Sequence, residues 1–128
     1  MAEMSNFLEN AIINATLRNT TYTSPATVYV SLYTSDPTDA DSGTEVSGGS
    51  YARTALTMGA PSDGVSSSSA DVEFPQATAS WGTITHVGIH DASTAGNLLF
   101  HTALDTSKTI ASGDVFKIAS GSLTVTLA

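Results

Sequence analysis

The stretch from Trp81 to Leu127 alternates apolar and polar positions with a period of two. Thr85, Val87 and Ile89 alternate with His86, Gly88 and His90. That spacing predicts a strand, because successive strand side chains point to opposite faces. Asp91 to Asn97 gathers Asp, Ser, Gly and Asn, which favour turns. Leu98, Phe100 and Leu104 predict a second strand, with Thr102 the polar member of that face. A turn then leads to Ser112-Gly113-Asp114, which opens a third strand. Gly121 interrupts it, and Leu123, Val125 and Leu127 alternate with Thr124 and Thr126.

The same period appears upstream. Thr27 to Thr34 predicts a strand with Val28, Val30 and Leu32 inward and Tyr29, Ser31 and Tyr33 outward. Tyr51 to Met58 predicts another, carrying Leu56 and Met58. Pro61-Ser62-Asp63-Gly64 reads as a turn, and Ser66 to Ser69 as a surface strand or loop that ends apolar at Val72 and Phe74. Pro75 has no N–H to give a ladder and bars a central strand from continuing. Short strands at even spacing predict an all-β fold, an antiparallel β-sandwich of jelly-roll type, in one domain over residues 1–128.

One segment breaks the period of two. Over residues 5–18, Leu8, Ile12 and Ala15 share a helical face with Phe7 and Ala11 beside it. Ser5 can cap this helix, Glu9 opposes the positive end of its dipole, and Arg18 complements the other end. Pro25 ensures that no helix continues. The helix either closes an open end of the sandwich or docks as an arm on a neighbour.

Composition narrows the function classes. Twelve Asp and Glu against four Lys and Arg give a net charge of −8. Arg18, Arg53, Lys108 and Lys117 are scattered, so the clustered basic patch that a nucleic-acid backbone requires is missing. No apolar run reaches the length of a membrane span, and the acidic N-terminus lacks the basic region of a signal peptide. These features predict a soluble protein made in the cytoplasm, with neither nucleic acid nor membrane as partner. The chain has no Cys, which excludes disulfides and thiolate metal sites. Low charge leaves strand edges poorly guarded, and such edges call for a cover such as a second copy of the chain.

Candidate chemistry is sparse. Ser35 to Gly49 is a long polar loop offering Asp36, Asp39, Asp41 and Glu45. Clustered carboxylates on a loop can take a hard cation, but the spacing does not match an EF-hand, and the alternative is a solvated acidic loop. His86 and His90 would lie roughly 13 Å apart along a strand at about 3.3 Å per residue, too far to share one ion. His101 could fall across the hairpin from either. No G-x-S-x-G elbow and no phosphate-cradling glycine loop is present. The chain is therefore expected to have no catalytic residue, no cofactor and no metal ligand. Tyr22, Tyr29, Tyr33, Tyr51 and Trp81 could form a sugar-binding face, although ordinary packing competes for them. The sequons at Asn14 and Asn19 acquire meaning only on a secretory route.

Several segments in order carry a resemblance. They are Asn6-Phe-Leu-Glu-Asn10, Thr27 to Ala40, Glu45-Val-Ser-Gly-Gly-Ser-Tyr-Ala-Arg53 and Val72-Glu-Phe-Pro75. Ala79 to Ile89, Gly96-Asn-Leu-Leu99, Ser112 to Phe116 and Leu123 to Leu127 complete the set. Nearly the whole chain thus resembles a family of small tailed-bacteriophage virion proteins, labelled tail fibre or head decoration proteins. The family transfers no catalytic residues. Its members start near Met4-Ser-Asn, which implies that Met1 to Glu3 form an extension. The resemblance implies a capsid cement protein on the virion's capsid surface, bound to the major capsid protein as a homotrimer. The alternative is a tail-tip or tail-fibre component contacting a host glycan. The short chain without a shaft favours cement, and Leu8, Ile12, Asp36, Asp39, Asp41 and Glu45 are the candidate partner contacts.

Overall fold

The computed structural model describes residues 2–127, so Met1, the first residue of the expected extension, and Ala128 lie outside the described residues. The elements in order are β1 (Glu3–Met4), α1 (Asn6–Leu17), β2 (Val28–Tyr33), β3 (Thr54–Leu56), β4 (Val65–Ser67), β5 (Val72–Glu73), β6 (Gly82–His90), β7 (Leu98–Ile110), β8 (Lys117–Ile118) and β9 (Thr124–Thr126). The fold is all-β and antiparallel, with one short helix. A five-stranded sheet runs β1-β7-β6-β2-β3, and β4-β9 and β5-β8 form two ribbons.

The ribbons grow out of the sheet. Beyond Gly82↔Ile110 at the end of the β6–β7 pair, Trp81 N–H donates to Ile110 O, Ala77 N–H to Asp114 O and Phe74 N–H to Phe116 O, each at 2.9 Å. These bonds carry the two arms on to Val72↔Ile118. Likewise Met58↔Ser68 joins the chain after β3 to the β4–β9 ribbon. Among the described residues the second layer is not one continuous sheet but the two ribbons, which face the five-stranded sheet.

The core lies between the sheet and the ribbons. Val30, Leu32, Val87 and Ile89 from the sheet pack with Val72, Phe74, Phe116, Leu123 and Val125. Phe74 meets Phe116 edge to face, with ring centres 5.6 Å apart, and Tyr51 meets Trp81 in the same way at 5.5 Å. Such pairs add to the burial of their area.

Several expectations are corrected here. Strand β7 runs unbroken through residues 105–109, where the sequence suggested a turn, while Ser112–Asp114 forms a turn rather than the start of a strand. The β6–β7 register shifts between Ile84 and His86, where β7 spends more residues than β6. The irregularity changes the facing of the strand, so Ile84 joins Val87 and Ile89 in the core in place of Thr85. Leu127 is exposed, because only Thr124 to Thr126 belong to β9. The turn at Asp63-Gly64 is as expected: both residues have positive φ (52 and 78), and Ser62 pairs with Val65 in a two-residue reversal.

The helix follows its sequence signals. Ser5 caps α1 by accepting from Leu8 N–H, and Arg18 closes its other end. Ser5 Oγ also donates to Leu98 O, so the cap fastens the helix to β7. The chain before it is built in as well, since Glu3 pairs with His101 and Met4 with Phe100.

Candidate functional site

The sheet's second face was expected to be its wet side, and the structure covers it. Ser31 and Tyr33, predicted to point outward, are buried together with His90 and His101. The registers Ser31↔Gly88 and Gly88↔His101 set Ser31 and His101 in one row across β2, β6 and β7, with Tyr33 and His90 two residues along on the same face. Helix α1 packs on β7, and the loop between β2 and β3 lies over the rest, with Pro37 fully buried.

That loop joins the face through histidine–aspartate pairs that involve all three histidines of the chain. His101 Nε2 is 2.8 Å from Asp39 Oδ1. His90 Nε2 is 3.6 Å from Asp41 Oδ2, and His86 Nε2 is 4.0 Å from Asp36 Oδ1. Tyr33 O–H donates to Asp41 at 2.7 Å and its ring stacks on His90 with centres 6.2 Å apart. Burial, with this hydrogen bond to Asp41, raises the Tyr33 hydroxyl well above its ordinary pKa. Burial, helped by the Arg53 charge, holds the His90 ring below its ordinary value.

Ser31, His90 and Asp41 thus come together, a set that composition alone left open. His90 Nδ1 is 2.8 Å from Ser31 Oγ. In a hydrolytic triad the base must lie beside a nucleophile that a substrate can reach. Here Ser31 is 0% exposed, so its hydroxyl serves as a fixed partner that orients the buried ring.

A second cluster holds the loop's far end. Arg53 Nε and Nη2 donate to the two oxygens of Glu45 at 2.9 and 2.8 Å. Arg53 Nη1 reaches Ala92 O and Ala95 O in the β6–β7 turn at 3.0 and 2.7 Å. Tyr51 O–H donates to Glu45 at 2.6 Å and accepts from Leu32 N–H at 3.0 Å. Burial pushes the Glu45 carboxyl up, but Arg53 and Tyr51 outweigh it and hold the group below its ordinary range.

The sequence-based contact residues fare differently. Leu8 is buried against its own sheet, which removes it as a surface contact, and Ile12 is half-buried. The apolar residues that α1 turns outward are Phe7, Ile13 and Leu17, the last 79% exposed. The difference arises because Ser5 anchors the helix at Leu98, which fixes which side faces in. Asp36, Asp39 and Asp41 face the histidine row, and Glu45 is committed to Arg53. The suggested aromatic platform does not form: Tyr33 and Trp81 are buried, and Tyr51 packs on Phe74 and Trp81.

Two features escaped the sequence reading. One is a cluster of possible ligand atoms on Glu3, Asp39 and His101, all within 4.8 Å of one another. The other is the edge of β7. Strand β1 pairs with β7 only at His101 and Phe100, so among the described residues no strand lies beside Ala103 to Thr109 on that side. A cleft of ≈ 820 Å³ borders this edge, lined in part by Leu104, Lys108, Ile110, Phe116 and Ile118. No helix is long and apolar enough to cross a membrane among the described residues.

Residues 3–126 match the family model described as Podophage GP4 fiber I protein gp80. The match spans nearly the whole chain, and the chain belongs to that family of phage fibre proteins. A comparison with curated proteins finds no match.

Proposed function

We propose, from this family membership, that the chain is a non-enzymatic structural component of the tail fibre of a bacteriophage virion and works as a homotrimer. The observation that carries the reading is the match over residues 3–126 to a fibre family. It supports the fibre reading over the capsid cement bound to the major capsid protein that the sequence reading had favoured. The exposed edge of β7 supports assembly. An uncovered strand edge with a neighbouring apolar cleft is a template for another chain, and closed cyclic symmetry is the usual way for copies to satisfy such edges. Contact with a host glycan gains no support from the aromatic residues, since the tryptophan and two of the four tyrosines are engaged in packing.

The test is to label virions with an antibody against the chain and to weigh the purified protein by light scattering. Label on the tail, a few copies per particle and a trimeric mass are expected. Label spread over the head in hundreds of copies would return the reading to capsid cement. A monomeric mass at all concentrations would sink the trimer.

A further inference from the structure

We propose that Glu3, Asp39 and His101 form a site for a divalent transition cation, with Zn²⁺ the best match. The proposal stands independently of the fibre assignment. His101 Nε2 lies 2.8 Å from Asp39 Oδ1 and 3.9 Å from Glu3 Oε2. Ligands placed tetrahedrally at 2.0–2.1 Å from a zinc ion stand about 3.3 Å from one another. The two observed separations bracket that value, so a small movement of the exposed Glu3 side chain completes three of four positions. The fourth is left for water or a partner's ligand.

The ligands are held from three directions. His101 is only 5% exposed, and its aimed ring nitrogen faces two carboxylates. Glu3 stands directly opposite it by the β1–β7 register. Asp39 is fixed by its backbone, since Asn6 N–H donates to Asp39 O at 2.9 Å. An imidazole with two carboxylates suits zinc and its neighbours better than calcium or magnesium, which prefer all-oxygen shells.

Charge argues in the same direction. Glu9 joins Glu3 and Asp39 around a cleft of ≈ 320 Å³, and Asp36 Oδ1 lies 3.9 Å from His101 Nδ1. Three carboxylates therefore lie within 4 Å of one imidazole, and a fourth borders the adjoining cleft. No Lys or Arg pairs with any of them among the described residues: Arg53 is bound to Glu45 and Lys117 to Asp71. A bound cation would supply the missing charge. It would also tie the N-terminal strand, the acidic loop and strand β7 together at one point.

The test uses the full chain, stripped with EDTA and dialysed. Calorimetric titration with ZnCl₂ at neutral pH should show one ion per chain, and Tm should rise with Zn²⁺ but not with equal Mg²⁺ or Ca²⁺. Glu3→Gln and Asp39→Asn should each weaken binding by more than the roughly 10-fold that loss of an outer partner costs. His86→Gln, at a histidine outside the cluster, should leave binding unchanged. Co²⁺ in place of Zn²⁺ should give the visible absorption of a tetrahedral site. The proposal is overturned if Zn²⁺ leaves Tm unmoved, or if both cluster variants, folded by circular dichroism, bind as the parent does.

Discussion

Gly88 lies directly opposite Ser31 across the β2–β6 pair, and its missing side chain is what lets the histidine face close. A Cβ at this position would stand 2.8 Å from Ser31 Oγ, 2.7 Å from Leu98 Cδ1 and 3.1 Å from Tyr33 Cε1. The backbone here is an ordinary strand, so the demand for glycine is spatial. Gly88→Ala is expected to cost about 1–3 kcal/mol, the usual range for overpacking a tight site. Urea denaturation checks this, and a change below a few tenths would show that the face can spread.

Arg53 and Glu45 hold the acidic loop to the β6–β7 turn. Their fork is two-pronged and the Arg53 side chain is nearly buried. Glu45→Gln should destabilise by about 2–3 kcal/mol, since it leaves the guanidinium short of its charged partner. Arg53→Lys should do the same, because one ammonium cannot reproduce the fork or reach both turn carbonyls. A double-mutant cycle measures the coupling, and a value near zero would place the pair among ordinary surface contacts.

Stability should fall on acidification, beginning with His90. Its folded-state pKa lies below the ordinary value of 6.5 because burial, and then the Arg53 charge, disfavour the cation; Asp41 and Glu45 pull the other way and are outweighed. A depressed pKa contributes stability that is fully present above about 6.5 and is lost as pH falls through the folded-state value. Glu45 adds a loss of the same sign below its own ordinary 4.5. Urea midpoints measured from pH 7.5 to pH 5 should therefore decline, and His90→Gln should flatten the upper part of that decline. A midpoint that rises on acidification would contradict the burial of a neutral ring.

Ser5 does two jobs, capping α1 and binding Leu98 O. Ser5→Ala should cost about 1–2 kcal/mol, near the top of the range for a lost cap. Ellipticity at 222 nm during thermal unfolding should show the helix fraying before the sheet melts. Full retention of both stability and helicity would mean that the cap is dispensable.

The helix was legible in the sequence because its signals are local: Ser5, Glu9 and Arg18 act within a turn or two of chain. Strand β2 and the closing strands were legible for the same reason, since a period of two is written into neighbouring positions. The Asp63-Gly64 reversal was legible because few residue pairs tolerate two positive φ values.

The covered second face was not legible. Ser31, Tyr33, His90 and His101 look like solvent-side residues until a loop is known to fold over them. Spacing along a strand set His86 and His90 four residues apart on one face of β6. It could not show that each would meet an aspartate from the same loop, because such meetings depend on register and loop path rather than on distance along the chain. The cluster of Glu3, Asp39 and His101 makes the point most plainly. The sequence by itself determined β2, the start of β7, β9, the helix and the acidic character of the loop, all set by local propensity and periodicity, whereas the length of β7 and the facing of β6 depended on their pairing. Only the tertiary structure decided which carboxylates lie against which histidines, because that pairing is set by β1 docking on β7 and by the loop closing over the sheet.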